Sequence, residues 1–236
     1  MAAFNQKAST QPNIWHTMNK YSVIVFDWDG TLMDSTHSIV QAIQGACRDL
    51  ELRVPTPAQA AWVIGLSLEP ALRRAVPDLT KSMEPLFLER YRHHYLGKDK
   101  ELKLFDGIPE LLNDLKATGA TLAVATGKSR VGLNRALTAT SLHSTFQASR
   151  TADETFGKPH PGMLLDLMDE LMVEPEQVVM IGDTSHDLQM AANAGVHGVG
   201  VAYGGAHPAD ELRACPNQEV VECVADLRQW LFERLA

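Results

Sequence analysis

Cysteine is scarce in this chain. Its 236 residues include three, Cys47, Cys215 and Cys223, odd in number, widely spaced and without Cys-x-x-Cys spacing. That argues against a disulfide framework or a zinc site and fits the reduced thiols of a cytoplasmic protein. Long apolar runs are also missing, and none reaches the roughly 20 residues that a membrane-spanning helix needs. There is no long run of Lys or Arg, and the formal net charge is -8. A negative chain repels both a nucleic-acid backbone and an anionic bilayer, so neither is expected as a partner. Residues 1–20 lack the apolar stretch of a signal peptide. They are polar and irregular, and are predicted to form a flexible N-terminal extension. Met18, just ahead of the first strong apolar run, is an alternative start. No internal repeat or low-complexity tract is present.

What is present is an ordinary globular composition, 45% hydrophobic and 21% charged, in a length that suits a core domain with a smaller second one. Val23-Ile24-Val25-Phe26 is a continuous apolar run that ends at Asp27. Such a run fits a strand covered on both faces, as in a parallel sheet. Leu122–Ala125 before Thr126 and Val178–Ile181 before Gly182-Asp183 repeat the pattern. Helical periodicity separates them at Ile108–Leu115, Val131–Leu137, Met163–Leu171 and Leu188–Ala194. Further strands are predicted near Gly198–Val201 and Glu219–Cys223, and a closing helix at Ala225–Leu235. Alternating strands and helices imply an α/β, doubly wound, Rossmann-like parallel sheet.

Residues 34–104 break the alternation. They carry helical patterns around Ile39, Ile43 and Ala46, and over Ala58–Ile64, Pro70–Ala75 and Leu86–Leu96, but no convincing buried strand. This segment reads as an α-helical cap inserted into a core made of residues 21–33 and 105–236. Met33-Asp34 and Phe105-Asp106-Gly107 are the natural hinges.

Ligands in open α/β sheets sit beyond the carboxyl ends of the strands. Each strong strand here ends in a polar cluster, so the clusters can converge on one cleft. The first is Asp27-Trp28-Asp29-Gly30-Thr31. Two carboxylates two residues apart can divide the work of nucleophile and of acid and base. The N–H groups after Asp27, including that of Trp28, can face a phosphate oxygen, while the Trp28 ring points away into the core or under the cap. Asp-x-Asp-Gly-Thr after an apolar strand resembles motif I of the haloacid dehalogenase-like (HAD) hydrolase superfamily. Thr126-Gly127-Lys128 resembles motif II, Gly157-Lys158-Pro159-His160-Pro161 motif III, and Gly182-Asp183-Thr184-Ser185-His186-Asp187 motif IV. The helical segment resembles the C1-type cap of the phosphoglycolate phosphatase-like branch, with Ile64-Gly65-Leu66-Ser67-Leu68 in the place of its substrate-facing loop.

The resemblance implies a magnesium-dependent phosphatase acting on a small phosphate monoester, phosphoglycolate-like or a sugar phosphate, as a monomer or homodimer. It makes Asp27 the nucleophile and Asp29 the acid and base, with Thr126 and Lys158 on the phosphoryl group. Trp28, Gly127 and Lys128 would serve the substrate phosphate. Mg2+ would be held by Asp27, the Asp29 carbonyl and Asp183. Several residues remain open between two readings. Lys128 is a donor to phosphate or has a solvated side chain. Asp187 is a support for Lys158 and the metal shell, or a first-turn helix carboxylate. His160 is read as structural, through neighbouring backbone, and His186 as exposed. Arg73, Arg74, Arg90 and Arg92 are read as a solvated helix face. A phosphomutase resembling beta-phosphoglucomutase is the alternative within the branch, and a non-enzymatic phospho-ligand regulator the alternative outside it.

Overall fold

The computed structural model describes residues 21–97 and 103–235, without the side chains of residues 68 and 69. The expectations for residues 1–20, Met18 among them, lie outside the described residues. Six strands form one parallel sheet: β1 (Val23–Phe26), β2 (Thr121–Thr126), β3 (Ala148–Thr151), β4 (Val178–Gly182), β5 (His197–Val201) and β6 (Glu219–Val221). Their order is β3-β2-β1-β4-β5-β6, so the chain turns back between β1 and β4 at mid-sheet. That switch point opens a crevice at the carboxyl ends of β1, β2 and β4.

The strand sequences explain the layering. Successive side chains alternate between faces. Ile24, Phe26, Leu122, Val124, Val179 and Ile181 share one apolar layer with Leu111 and Leu115 of α5 (Ile108–Ala117) and Leu227 and Leu231 of α10 (Val224–Phe232). Val23, Val25, Ala123, Ala125, Val178 and Met180 share the other with Met163 and Leu167 of α7 (Gly162–Leu171) and Met190 of α8 (Ser185–Asn193). Burying each large aliphatic side chain contributes about 1.5–3 kcal/mol, which is why runs apolar at every position settle in mid-sheet. The Trp28 ring is fully buried in the first layer, edge-on to Phe146.

Between β1 and β2 lie α1 (Thr36–Asp49), α2 (Pro57–Trp62), α3 (Leu68–Ala75) and α4 (Glu84–Gly97), with no strand among the described residues. They bury a separate apolar cluster that includes Ile43, Ala46, Leu72 and Phe87. Thr56 and Gln59 cap α2 reciprocally and Pro57 occupies its first turn, a strong local start signal. The helix stops at Trp62, short of the predicted Ile64, because the chain turns through Gly65 at φ +88°. At the base of the segment Asp34 N–H donates to the Lys103 carbonyl and Phe105 N–H to that of Leu32, at 2.9 and 3.0 Å. The two passages form a hydrogen-bonded neck.

Two elements escape sequence patterning. Strand β3, Ala-Ser-Arg-Thr, lies at the sheet edge beside β2 and has half-exposed middle residues, so it carries no apolar run. The short α9 (Ala209–Arg213) buries only Leu212. Strand β6 ends at Val221 rather than Cys223, since Cys223 instead caps α10 by accepting the Asp226 N–H. The cysteines are free, with Cys47 buried and Cys223 exposed. No described helix is long and apolar enough to cross a membrane.

Candidate active site

The parallel register brings Asp27, Thr126 and Asp183 to neighbouring strand ends. Asp27 follows β1 and its N–H still donates to Ile181 of β4. Its carboxylate is buried, with Oδ1 accepting from Lys158 Nζ at 2.6 Å and Oδ2 without a hydrogen-bond partner. Burial pushes its pKa up to about 7 from 3.8. The Lys158 ammonium opposes that rise, and the Asp187 and Asp29 charges add to it. Lys158 also stands 2.6 Å from Asp187 Oδ1. Burial alone would lower the Lys158 pKa, but the Asp187 and Asp27 carboxylates outweigh it and hold the ammonium charged.

Asp187 is both a first-turn helix carboxylate and a partner of Lys158. In the first turn of α8 its Oδ2 accepts from the Thr184 N–H and hydroxyl, at 3.1 and 2.6 Å, while Oδ1 meets Lys158. In return the Asp187 N–H donates to the Thr184 hydroxyl oxygen. This capping box fixes the carboxylate that fixes the lysine.

Asp183, at the end of β4, is fully buried and accepts from the Thr31 hydroxyl through Oδ1 at 3.2 Å. Its Oδ2 has no partner. Burial, with the Asp27 and Asp187 charges, raises its pKa well above 3.8. Gly30 turns the chain here at φ +80°, and a Cβ on it would collide with the Asp183 carboxylate. Only glycine lets the motif I loop approach so closely.

One carboxylate oxygen from each of Asp27, Asp183 and Asp187 lies within 4.8 Å of the others. In this acidic nest Asp183 Oδ2 is buried without a hydrogen-bond partner. A buried carboxylate oxygen is costly to leave unpaired. The donor set therefore fits a hard divalent cation such as magnesium.

Asp29 sits in a second constellation. Ser35 Oγ donates to its Oδ1 at 2.6 Å, and Lys128 Nζ lies 2.9 Å from Oδ1 and 2.8 Å from Oδ2. The same ammonium donates to the Tyr95 hydroxyl on α4 at 3.1 Å. The Lys128 side chain is thus enclosed rather than solvated. Burial would lower its pKa, but Asp29 and Tyr95 reverse the direction and raise it. Thr126 Oγ1 accepts from the Lys128 N–H at 3.3 Å, which leaves the hydroxyl proton for an acceptor in the cleft. Ser129 caps α6 (Arg130–Thr140), directly after Gly127-Lys128.

The helical segment closes the other side of a cleft of about 670 Å3, lined by Asp27, Asp29, Thr126, Gly127 and Lys128 below and by residues of α1, α3 and α4 above. The Gly65 and Leu66 carbonyls press against Gly127, where a Cβ would sit 2.6 and 2.8 Å away. Ser67 presses likewise on Gly157. His186, read from sequence as exposed, is buried because Trp62 covers it. Its Nε2 lies 3.1 Å from the Trp62 carbonyl oxygen, and burial lowers its pKa. The Trp62 ring stacks on His207 and its Nε1 donates to Glu211 at 3.0 Å. His160 is structural as read, its Nδ1 accepting from the Gly162 N–H. Arg73, Arg74 and Arg92 are exposed and Arg90 half-buried; Arg73 pairs with Glu84, and Arg74 also lies 3.6 Å over the Trp62 ring.

Sequence reading missed Ser35, Tyr95 and Thr184. The Thr184-x-x-Asp187 spacing is a local capping signal that points to Thr184. Tyr95 meets Lys128 only through tertiary packing, while Ser35 reaches Asp29 across the turn between them.

A nucleophile-like aspartate, a second aspartate two residues on, a buried lysine and an acidic nest, all at the carboxyl edge of a Rossmann-like sheet, define a class. Residues 24–201 match the haloacid dehalogenase-like hydrolase family, and the chain belongs to it. It is 35% identical to a probable phosphatase, IndB, of Dickeya dadantii over 87% of this chain and 91% of that protein. To a 5'-nucleotidase of Pseudomonas aeruginosa it is 34% identical, over 90% and 96%. A crystal structure of a predicted phosphoglycolate phosphatase from Haemophilus somnus superposes with a TM-score of 0.77 at 26% identity, covering 89% of this chain and 98% of that one. The chain is a phosphatase of this family, in its phosphoglycolate phosphatase-like branch.

Proposed function

We propose that the protein is a magnesium-dependent hydrolase of small phosphate monoesters that works through an aspartyl-phosphate on Asp27. The observation that carries this reading is the state of the Asp27 carboxylate. Oδ1 is fixed by Lys158 while Oδ2, buried and without a hydrogen bond, is left to react. In the first step Oδ2 bonds to phosphorus as the ester P–O bond breaks, and Asp29 gives its proton to the departing alkoxide. In the second step Asp29 takes a proton from water, the water oxygen bonds to phosphorus, and the Asp27–phosphorus bond breaks. Lys158 offsets the negative charge that Asp27 and the phosphoryl group bring together in a dry site, where repulsion is strong. The Thr126 hydroxyl and the backbone around Trp28 and Gly127 orient phosphoryl oxygens. Lys128 holds Asp29 and is near enough to the cleft to serve the phosphate as well.

Asp27, the Asp29 carbonyl and Asp183 would hold the magnesium, with Asp187 in support. When bound, the ion neutralises phosphate charge and polarises phosphoryl oxygens. Residues 34–104 act as the cap over the core of residues 21–33 and 105–236, excluding water and selecting the alcohol. Phosphoglycolate-like and sugar phosphates, and the nucleoside monophosphates that the Pseudomonas relative's name adds, are the candidate esters. The enzyme is cytoplasmic and works as a monomer or homodimer.

The test is phosphate release from a panel of such esters, with magnesium and with chelator. Release should need the metal and vanish in Asp27→Asn. Undiminished release by that variant would overturn the mechanism, and a phosphorylated isomer in place of free phosphate would make the enzyme a mutase.

A further inference from the structure

The volume of the cleft is not the volume of an open cap. The helical segment is already seated on the core at four places. Gly65 and Leu66 touch Gly127, Ser67 touches Gly157, Tyr95 meets Lys128, and Trp62 covers His186 and His207. With those contacts made, about 670 Å3 remains. That lies within the roughly 300–1,000 Å3 of pockets that enclose drug-sized ligands. A two-carbon phospho-acid leaves most of it unfilled.

The wall chemistry points the same way. Apart from the motif residues, the lining is mostly apolar, with Ile39, Ile43, Ile64, Leu72, Tyr91 and Leu96 beside the polar Ser67, Ser129 and Asp153. Besides Lys128, the cations among the lining residues are Arg92 and Arg135, both solvent-exposed. The Lys128 ammonium is already shared between Asp29 and Tyr95. A carboxylate placed one carbon beyond the ester oxygen would lose its hydration against an aliphatic wall, an expensive transfer. An uncharged ring in that place buries apolar surface instead, and the stacked pair Tyr91 and Tyr95 offers it an aromatic face.

We propose that the substrate class is phosphate monoesters of ring-bearing, largely uncharged alcohols, the ring lying against Ile43, Tyr91 and Leu96, and that two-carbon phospho-acids are poor substrates. This rests on the phosphatase reading of Asp27.

The experiment compares kcat/KM for 2-(1-naphthyl)ethyl phosphate, ethyl phosphate and phosphoglycolate with magnesium present. All three release a primary alcohol. Calorimetric binding of 2-(1-naphthyl)ethylphosphonate and ethylphosphonate, which cannot turn over, accompanies it. The naphthyl ester should exceed both others by roughly tenfold or more, and its phosphonate should bind tighter by a similar factor. Leu96→Glu, at a position 43% exposed and therefore tolerant of charge, should cut that preference by at least about threefold. Release that favours phosphoglycolate or ethyl phosphate would overturn the substrate class and leave the phosphatase reading intact. No release from any ester, with tight binding of the naphthyl phosphonate, would overturn the phosphatase reading while the cleft's ligand preference stood. Neither release nor binding would overturn both.

Discussion

Lys158 and Lys128 each bring an ammonium to one of the two motif I aspartates, and they are held in different ways. Lys158 is enclosed by Asp27 at the end of β1 and Asp187 in the first turn of α8, and its side chain is fully buried. Lys128 pairs with Asp29 but completes its shell with Tyr95 from α4, and its side chain is 12% exposed. The first pair is built by the sheet core alone and is ready before any ester arrives. The second depends on where the helical segment sits. Asp27 and Asp29, the proposed nucleophile and acid–base group, thus stand 2 residues apart in sequence but answer to different parts of the molecule.

The largest effect should come from breaking the first pair. Lys158→Met leaves Asp27 and Asp187 buried without a counter-charge, which should cost about 3–5 kcal/mol of stability. It should also lower kcat roughly 10³-fold, as loss of a group that stabilises transition-state charge does. Thermal melts and phosphate-release kinetics check both, with Lys158→Arg as the variant that keeps the charge. Next is Gly127→Ala, whose added Cβ would meet the Gly65 and Leu66 carbonyls at 2.6 and 2.8 Å. It should hold the helical segment off its seat and lower kcat/KM by roughly 10- to 100-fold with little change in melting temperature. A smaller loss is expected of Tyr95→Phe, which removes one acceptor from Lys128 and should lower kcat about 3- to 10-fold. If Tyr95→Phe instead matched Lys158→Met, the second constellation would not be secondary to the first.

The smallest effect concerns an ion pair outside the cleft. Arg130 donates to both Glu154 oxygens, at 2.9 and 2.6 Å, and these hydrogen bonds hold the Glu154 pKa at about 2, below 4.5. A carboxylate depressed in the folded state adds stability above pH 4.5 that is lost as pH falls toward 2. With the Glu154 side chain 37% exposed, screening leaves the pair worth about 0.5 kcal/mol. Glu154→Gln should therefore lower the melting temperature slightly at pH 7 and progressively less as the pH falls toward 2, with no change in turnover.

The alternation of strands and helices was legible because β1, β2 and β4 are buried on both faces, so nearly every position is apolar. The edge strand β3 was not, because a strand with one neighbour and half-exposed residues has no reason to be apolar. Asp27, Asp29 and Asp183 stood out as polar residues at strand ends, and Lys158 through the resemblance of Gly157–Pro161 to motif III. The shell around them did not. Tyr95 lies 33 residues from its Lys128 partner in sequence, and His186 looks like a surface residue until Trp62 of a distant helix covers it. Such assignments depend on how two apolar clusters meet, and no local pattern encodes that.

The neck at the base of the helical segment has a mechanical meaning. Two strands of chain tied together by the hydrogen bonds from Asp34 to Lys103 and from Phe105 to Leu32 behave as a strap hinge, not as two loose tethers. The strap permits rocking about one axis and resists sliding and twisting. The proposed cap, on such a hinge, would return to the same seat after every turnover. Because its two ends leave the sheet side by side, a foreign helical unit could also be spliced onto the same strap without redrawing a single strand.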